Sequence, residues 1–166
     1  SRGLGDVYKR QAQERLGCPV LYVNQVGGND ELIFDGNSFV LDASGRLQLQ
    51  LPCGESALQV WDSEAIDDST SIKLLNPEAE LWRMLVLGVQ DYARKCGFKT
   101  ALLGLSGGID SALVAVLAVA ALGSQHVRAL LMPSPYSSDG SLQDSLTLAT
   151  RLELSTSTVP IAPLMQ

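Results

Sequence analysis

Residues 104–111 read Gly104-Leu105-Ser106-Gly107-Gly108-Ile109-Asp110-Ser111. They combine adjacent glycines, two flanking hydroxyls and one carboxylate, a set suited to holding phosphate. A short apolar run, 100–105, precedes them and a longer one begins at Ile109, which predicts a strand feeding a helix. A helix N-terminus presents unpaired backbone N–H groups and a partial positive charge. The glycine pair lets the backbone approach an anion closely and permits positive φ. Ser106 and Ser111 add hydroxyl donors for phosphate oxygens. Asp110 would repel a bare phosphate, so it fits there only with Mg²⁺ between the two. The spacing predicts a magnesium–pyrophosphate cradle. Gly107 and Gly108 then donate through the backbone, Ser106 and Ser111 through hydroxyls, and Asp110 holds the metal. It is not a Walker A loop, which needs a lysine absent here, and it is not the dinucleotide fingerprint GxGxxG.

Two other readings of the same residues stay open. Gly104-Leu105-Ser106-Gly107-Gly108 satisfies the G-x-S-x-G nucleophile elbow of a serine hydrolase, with Ser106 as nucleophile. That chemistry needs an acid and a histidine later in the chain, and the only histidine, His126, lies too close at the start of the next strand. It also leaves Asp110 and Ser111 without a task. The other reading is a tight structural turn with no ligand.

The elements that must position this loop follow from patterning. Residues 19–26 are rich in β-branched and aromatic side chains and read as a strand, followed by a turn over 27–30. Residues 38–42 and 46–51 alternate around Ala43-Ser44-Gly45, a hairpin, and 56–61 read as a further strand, so 16–61 is expected to be all β. Residues 62–71 carry acids and hydroxyls with two apolar side chains and read as a linker. Beyond it helices and strands alternate. Asn76-Pro77 is an N-cap with proline at the first helical position, Leu81, Leu85, Val89 and Tyr92 form an apolar face, and Gly97 closes the helix. Strand 100–105, a helix over 109–122 expected to be enclosed on most sides, strand 127–132, helix 140–153 and a strand from Thr156 complete the order. Strand–helix–strand repetition implies right-handed crossovers and a parallel, doubly wound α/β sheet.

Composition bounds the function. The chain has 166 residues, 46% of them hydrophobic, and a formal net charge of −6. The acidic balance argues against a nucleic-acid partner, and no apolar run is long enough to span a bilayer. Three separated cysteines, Cys18, Cys53 and Cys96, suit a reducing cytoplasm and read as small buried residues. His126 reads as a connector, Lys99 as an exposed strand-start residue and Trp82 as packing. Residues 1–11, SRGLGDVYKRQ, have no apolar periodicity and read as non-native adapter-derived sequence. Both ends give the expectation of a fragment.

Ser106-Gly107-Gly108-Ile109-Asp110-Ser111 resembles the SGGxDS signature of the ATP pyrophosphatase superfamily, which is not specific to one substrate and is shared by GMP- and tRNA-directed ligases. The upstream segment from Tyr22 to Phe39, YVNQVGGNDELIFDGNSF, is similar to the C-terminal part of a nitrilase-type glutaminase domain. The two together, with Met132-Pro133-Ser134-Pro135-Tyr136-Ser137-Ser138 after them, resemble the glutamine-dependent NAD⁺ synthetase family over roughly 16–61 and 76–166. The resemblance implies the end of an αββα nitrilase-like domain over 12–61, a linker over 62–75 and the start of a Rossmann-like ATP-binding domain over 76–166. It implies an enzyme that adenylates deamido-NAD⁺ with ATP and Mg²⁺ and then amidates it with ammonia from glutamine, working in the cytoplasm as a homo-oligomer. It places ATP on residues 104–111. The glutaminase Glu, Lys and Cys belong upstream of Leu16, so no catalytic residue is carried over. Glu31 and Asp35 either border the glutaminase pocket or serve turn chemistry. The fragment alone is expected to be inactive and poorly stable.

Overall fold

The computed structural model describes residues 11, 14–64, 76–135 and 138–164. The body of the proposed adapter segment, 1–10, and most of the linker, 65–75, lie outside the described residues. The chain divides into two compact units, Ser1–Met84 and Leu85–Gln166. The division falls within a helix rather than in the expected linker.

The first unit is antiparallel. β1 (Val20–Tyr22), β4 (Phe39–Leu41) and β5 (Leu47–Gln50) form one sheet in the order β1-β4-β5, while β2 (Val26–Asn29) and β3 (Leu32–Asp35) form a separate hairpin. The strand expected over 19–26 is therefore broken at 23–25. Asn24 explains the break: its backbone N–H donates to Ser38 Oγ at 3.0 Å and its side-chain amide to Asp35 at 2.8 Å. Side-chain bonds replace the ladder there. The expected turn over 27–30 also shifts, because Gly27 and Gly28 pair with Phe34 and Ile33 and the reversal falls at Asp30, with φ 52°. Asp35 spans both neighbours, since Asn37 donates to its second oxygen at 2.8 Å. The hairpin joining β4 to β5 forms where expected. Residues 56–61 make no strand, and Leu58 is 96% exposed. Their alternation supplies the pattern, but no described strand supplies a ladder. The core of this unit is Val40, Leu41 and Cys53, with the rings of Tyr22 and Phe39 5.3 Å apart.

α1 (Pro77–Cys96) begins as its sequence dictates, with Asn76 Oδ1 accepting from Ala79 N at 2.7 Å. It ends at Gly97, φ 74°, where Phe98 N–H reaches back to Ala93 O at 2.8 Å. In its first half Arg83 Nη1 donates to Glu55 Oε1 at 2.9 Å and to the Cys53 carbonyl at 3.3 Å. The anticipated apolar face is largely uncovered: Leu81, Leu85 and Tyr92 are exposed, and Ala93 is the buried residue. Periodicity fixes the helix, not what covers it.

The second unit is parallel. β6 (Ala101–Leu105), β7 (Val127–Leu131) and β8 (Ser155–Thr158) lie in that order, connected by α2 (Ile109–Leu122) and α3 (Asp139–Arg151). Its core is Leu105, Ala115, Ala118, Val127, Ala129, Ala149 and Leu154. α2 is apolar all round but not enclosed on most sides: Ala115 and Ala118 are buried, whereas Ile109, Leu113 and Val114 are exposed. The short side chains of one stripe let α2 lie close on the sheet with Val119 and Leu122 packed beside them, while Ile109, Leu113 and Val114 point away. Cys18 and Cys96 are exposed, which corrects the expectation of burial, and Cys53 is buried. No helix among the described residues is long and apolar enough to cross a membrane.

Candidate functional site

Leu105, 5% exposed, anchors the end of β6 in the core. The chain then turns through residues 106–108 into α2, so the loop leaves the carboxyl end of a parallel strand, where open α/β sheets place their ligands. Residue 105 pairs with Leu131 at the same end of β7. The turn from β7 to α3 therefore leaves beside it. Ser106, Gly108, Ile109 and Asp110 are exposed, and Gly107 and Ser111 half-buried. The loop faces solvent, as a ligand cradle must.

Its shape is held by hydroxyls. Ser111 Oγ donates to Gly108 O at 2.9 Å and accepts from Ser106 N–H at 3.3 Å. Ser106 Oγ lies 3.1 Å from Ser111 Oγ and accepts from Gly108 N–H at 3.3 Å. Because the Ser111 proton is committed to Gly108 O, the Ser106 proton is the one shared between the two hydroxyls. Both serines are thus engaged within the loop. Either can donate to phosphate only by exchanging an internal bond. Ser106 Oγ meanwhile satisfies the Gly108 amide, a place that an anion's oxygen could take.

The first intrahelical bond of α2 runs from Ala112 N–H to Gly108 O at 3.1 Å. The amides of Ile109, Asp110 and Ser111 precede it and, among the described residues, are the unpaired donors of this helix start. Gly108 is the N-cap, with φ −85° and ψ 159°, and has no side chain to cap them.

The two glycines differ in kind. Gly107 has φ 81°, and a Cβ there would lie 2.7 Å from Ser141 Cα and 2.8 Å from Ser141 Cβ, besides meeting the Ser141 carbonyl. The protein's own packing requires that glycine. At Gly108 the backbone suits any residue, and a Cβ would meet nothing nearer than Ser106 Oγ at 3.5 Å. Apart from its modest preference as an N-cap, the packing gives no reason for that glycine, whereas a molecule lying against the loop would. Gly104 is intermediate, since a Cβ there would meet only the flexible end of Met132, at 3.1 Å.

Asp110 sits in the first turn of α2. Among the described residues its carboxylate has no hydrogen bond or ion pair, and no group of three or more His, Cys, Asp or Glu could hold a metal. One exposed carboxylate at a phosphate-sized cradle fits magnesium chemistry, in which one or two carboxylates share the ion with phosphate oxygens and water.

His126 closes the 3₁₀ turn Ser124–His126 that enters β7 at Val127, which pairs with Ala101. Imidazole and Ser106 are thus at opposite ends of the strands, about 16 Å apart for five residues of parallel strand. The two form no nucleophile–base pair. Lys99 is exposed just ahead of β6, and Glu31 lies in the β2–β3 turn. Sequence reasoning missed Ser138 and Ser141. The available signal was Ser138 three residues before Ser141 at a helix start, but the expected helix began at Gly140, leaving the cap unread.

The NAD synthase family model matches residues 81–166. The chain belongs to the NAD synthase family. The match takes in the whole of β6, the 106–111 loop and α2. Over 158 residues the chain is 49% identical to the glutamine-dependent NAD⁺ synthetase of Synechocystis sp., covering 92% of this chain and 28% of that protein. It is 48% identical to the enzyme of the same name from Rhodobacter capsulatus, covering 96% and 31%. Among solved structures, the glutamine-dependent NAD⁺ synthetase of Acinetobacter baumannii in complex with ADP matches with TM-score 0.88 and 36% identity, over 96% of this chain and 31% of that one. The chain spans about three-tenths of the length of these relatives.

Proposed function

We propose that this chain is the part of a glutamine-dependent NAD⁺ synthetase that grips the phosphates of ATP, preceded over residues 12–61 by the end of a nitrilase-like glutaminase domain and joined to it through 62–75. The observation that carries the reading is the exposed loop 106–111 at the carboxyl end of β6, with a glycine at 108 that its own packing does not require. Family membership and the nucleotide complex of the Acinetobacter baumannii relative support it.

The chemistry asked of the loop is electrostatic. The nicotinate carboxylate of deamido-NAD⁺ is a poor electrophile. Its oxygen attacks the α-phosphorus of ATP, the bond to the β,γ-diphosphate breaks, and pyrophosphate leaves. Ammonia drawn from glutamine then attacks the acyl carbon, and AMP leaves with the amide formed. Negative charge grows on the departing pyrophosphate. Backbone donors fixed in advance at the start of α2 meet that charge without reorganising, which is where such a site lowers a barrier most. Gly107 and Gly108 bring the backbone close, Ser106 and Ser111 hold the turn and exchange bonds with phosphate oxygens, and Gly104 and Leu105 set the strand end beneath. Asp110 would hold Mg²⁺, which supplies further charge neutralisation when bound. The enzyme acts in the cytoplasm as a homo-oligomer on small molecules alone.

The test is the full-length protein supplied with ATP, Mg²⁺, deamido-NAD⁺ and glutamine. Formation of NAD⁺, AMP and pyrophosphate in equal amounts supports the reading. Hydrolysis of ATP to ADP and phosphate, or turnover of a tRNA or GMP precursor instead, overturns it.

A further inference from the structure

We propose that Ser138 and Ser141, at the start of α3, are positioning residues that set the bearing of the 106–111 loop through contact on Gly107; the inference rests on the phosphate-binding role given to that loop above. Among the described residues the hydrogen bonds of residues 106–108 run within 106–112, so these bonds fix the loop's shape and not its placement beside α3. Ser141 touches it from outside. The contact is backbone on backbone, because a Cβ on Gly107 would fall 2.7 Å from Ser141 Cα. Neither side can yield by rotating a side chain.

Ser141 is itself held from both directions. Ser138, the N-cap of α3, accepts from Ser141 N–H at 3.2 Å, and its Oγ lies 2.8 Å from Ser141 Oγ. From below, Ser145, 2% exposed, donates its hydroxyl to the Ser141 carbonyl at 2.9 Å. A buried serine bonding its i−4 carbonyl is mildly unfavourable to a helix. Here that carbonyl is one of the atoms facing Gly107. Two hydroxyls, of Ser138 and Ser145, therefore hold the amide, the side chain and the carbonyl of the residue that bears on Gly107. Loosening the cap lets the first turn of α3 fray, and the loop loses its stop. Neither serine needs to touch the nucleotide for this to matter.

The experiment uses the full-length enzyme and three variants. Ser138→Ala removes the cap, Ser138→Asn replaces it with a neutral cap of similar strength, and Gly108→Ala reports on the loop itself. Ser138→Ala is expected to raise KM for ATP about fivefold with kcat within twofold, corresponding to about 1 kcal/mol at 1.4 kcal/mol per tenfold. Ser138→Asn is expected to restore it. Unchanged KM in Ser138→Ala, a fall in kcat alone as from a smaller folded fraction, or failure of Ser138→Asn to restore KM overturns the proposal. If Gly108→Ala also leaves KM for ATP untouched, the phosphate-binding reading fails with it. If Gly108→Ala raises KM and Ser138→Ala does not, the positioning inference alone is lost.

Discussion

Replacing Gly108 with alanine separates a glycine kept for the fold from one kept for a ligand. Its φ of −85° and ψ of 159° are open to alanine, and the nearest atom to the new methyl would be Ser106 Oγ at 3.5 Å, an ordinary contact. Two small effects on folding oppose each other. Alanine caps a helix less well than glycine, by roughly 0.5–1 kcal/mol. It also restricts the unfolded chain, which stabilises the native state by about 0.4–1 kcal/mol. The net change in stability is expected to stay within about 0.5 kcal/mol, hardly visible as a shift in Tm. Binding is another matter. A phosphate oxygen resting on the Gly108 α-carbon would be displaced by the methyl, and overpacking of a fitted contact costs about 1–3 kcal/mol. At 1.4 kcal/mol per tenfold, KM for ATP rises roughly 5-fold to 140-fold. The assay is steady-state NAD⁺ formation by the full-length enzyme across an ATP titration, with ammonium replacing glutamine in a parallel series. Both series should show the same rise, because the loop acts before the amide step. A folded Gly108→Ala enzyme with unaltered KM for ATP would falsify the reasoning.

Gly107→Ala is expected to behave differently, because the positive φ costs roughly 1–2 kcal/mol for an L side chain and the overlap with Ser141 adds to it; calorimetry of the full-length enzyme should show a clearly lowered Tm alongside lost ATP use, and an unshifted Tm would contradict the contact. In the β4–β5 hairpin, hydrogen bonds from the Ser44 hydroxyl, then the Arg46 amide, then Gln48 and the Ser44 amide outweigh desolvation and hold the Asp42 carboxyl at about 2, below its ordinary 3.8. The folded state thus binds fewer protons than the unfolded one between those values, so this contribution is complete above about pH 4 and is lost as pH falls toward 2. Asp42→Asn should lower the unfolding midpoint at pH 7, and the gap from the parent should narrow below pH 4; a gap independent of pH would sink this account.

The second unit was legible in the sequence almost residue by residue, for a local reason. Its strand and helix ends carry their own signals, as does the start of α1 ahead of it at Asn76-Pro77: Gly97 and Gly123 close helices at positive φ, and the apolar runs between them match one period each. The first unit was less legible because its pairing is non-local. Asn24 breaks a strand only because Ser38 and Asp35, far along the chain, take its hydrogen bonds. Residues 56–61 have the alternation of a strand and lack the partner. Burial was the weakest part of the reading. The apolar character of Leu81, Leu113 and Ile109 says that something favours covering them, and a sequence does not say what. At the site, residue types and spacing located the loop, but the division of labour inside it did not follow from spacing. That Ser111 bonds three atoms of its own turn, that Gly107 is demanded by Ser141 and that Gly108 is not demanded at all are facts of packing.

The central claim is that residues 106–111 hold the pyrophosphate end of ATP, with Asp110 reaching it through a divalent cation. Isotope exchange between pyrophosphate and ATP, measured in the full-length enzyme with deamido-NAD⁺ present and no ammonia source, isolates that step. In Asp110→Ala, which alters an exposed side chain without hydrogen bond or ion pair among the described residues, the account predicts a folded enzyme whose magnesium-dependent exchange falls by at least about a hundredfold, as when a group stabilising developing charge is removed. Exchange at the parental rate, with the same dependence on magnesium, would contradict it.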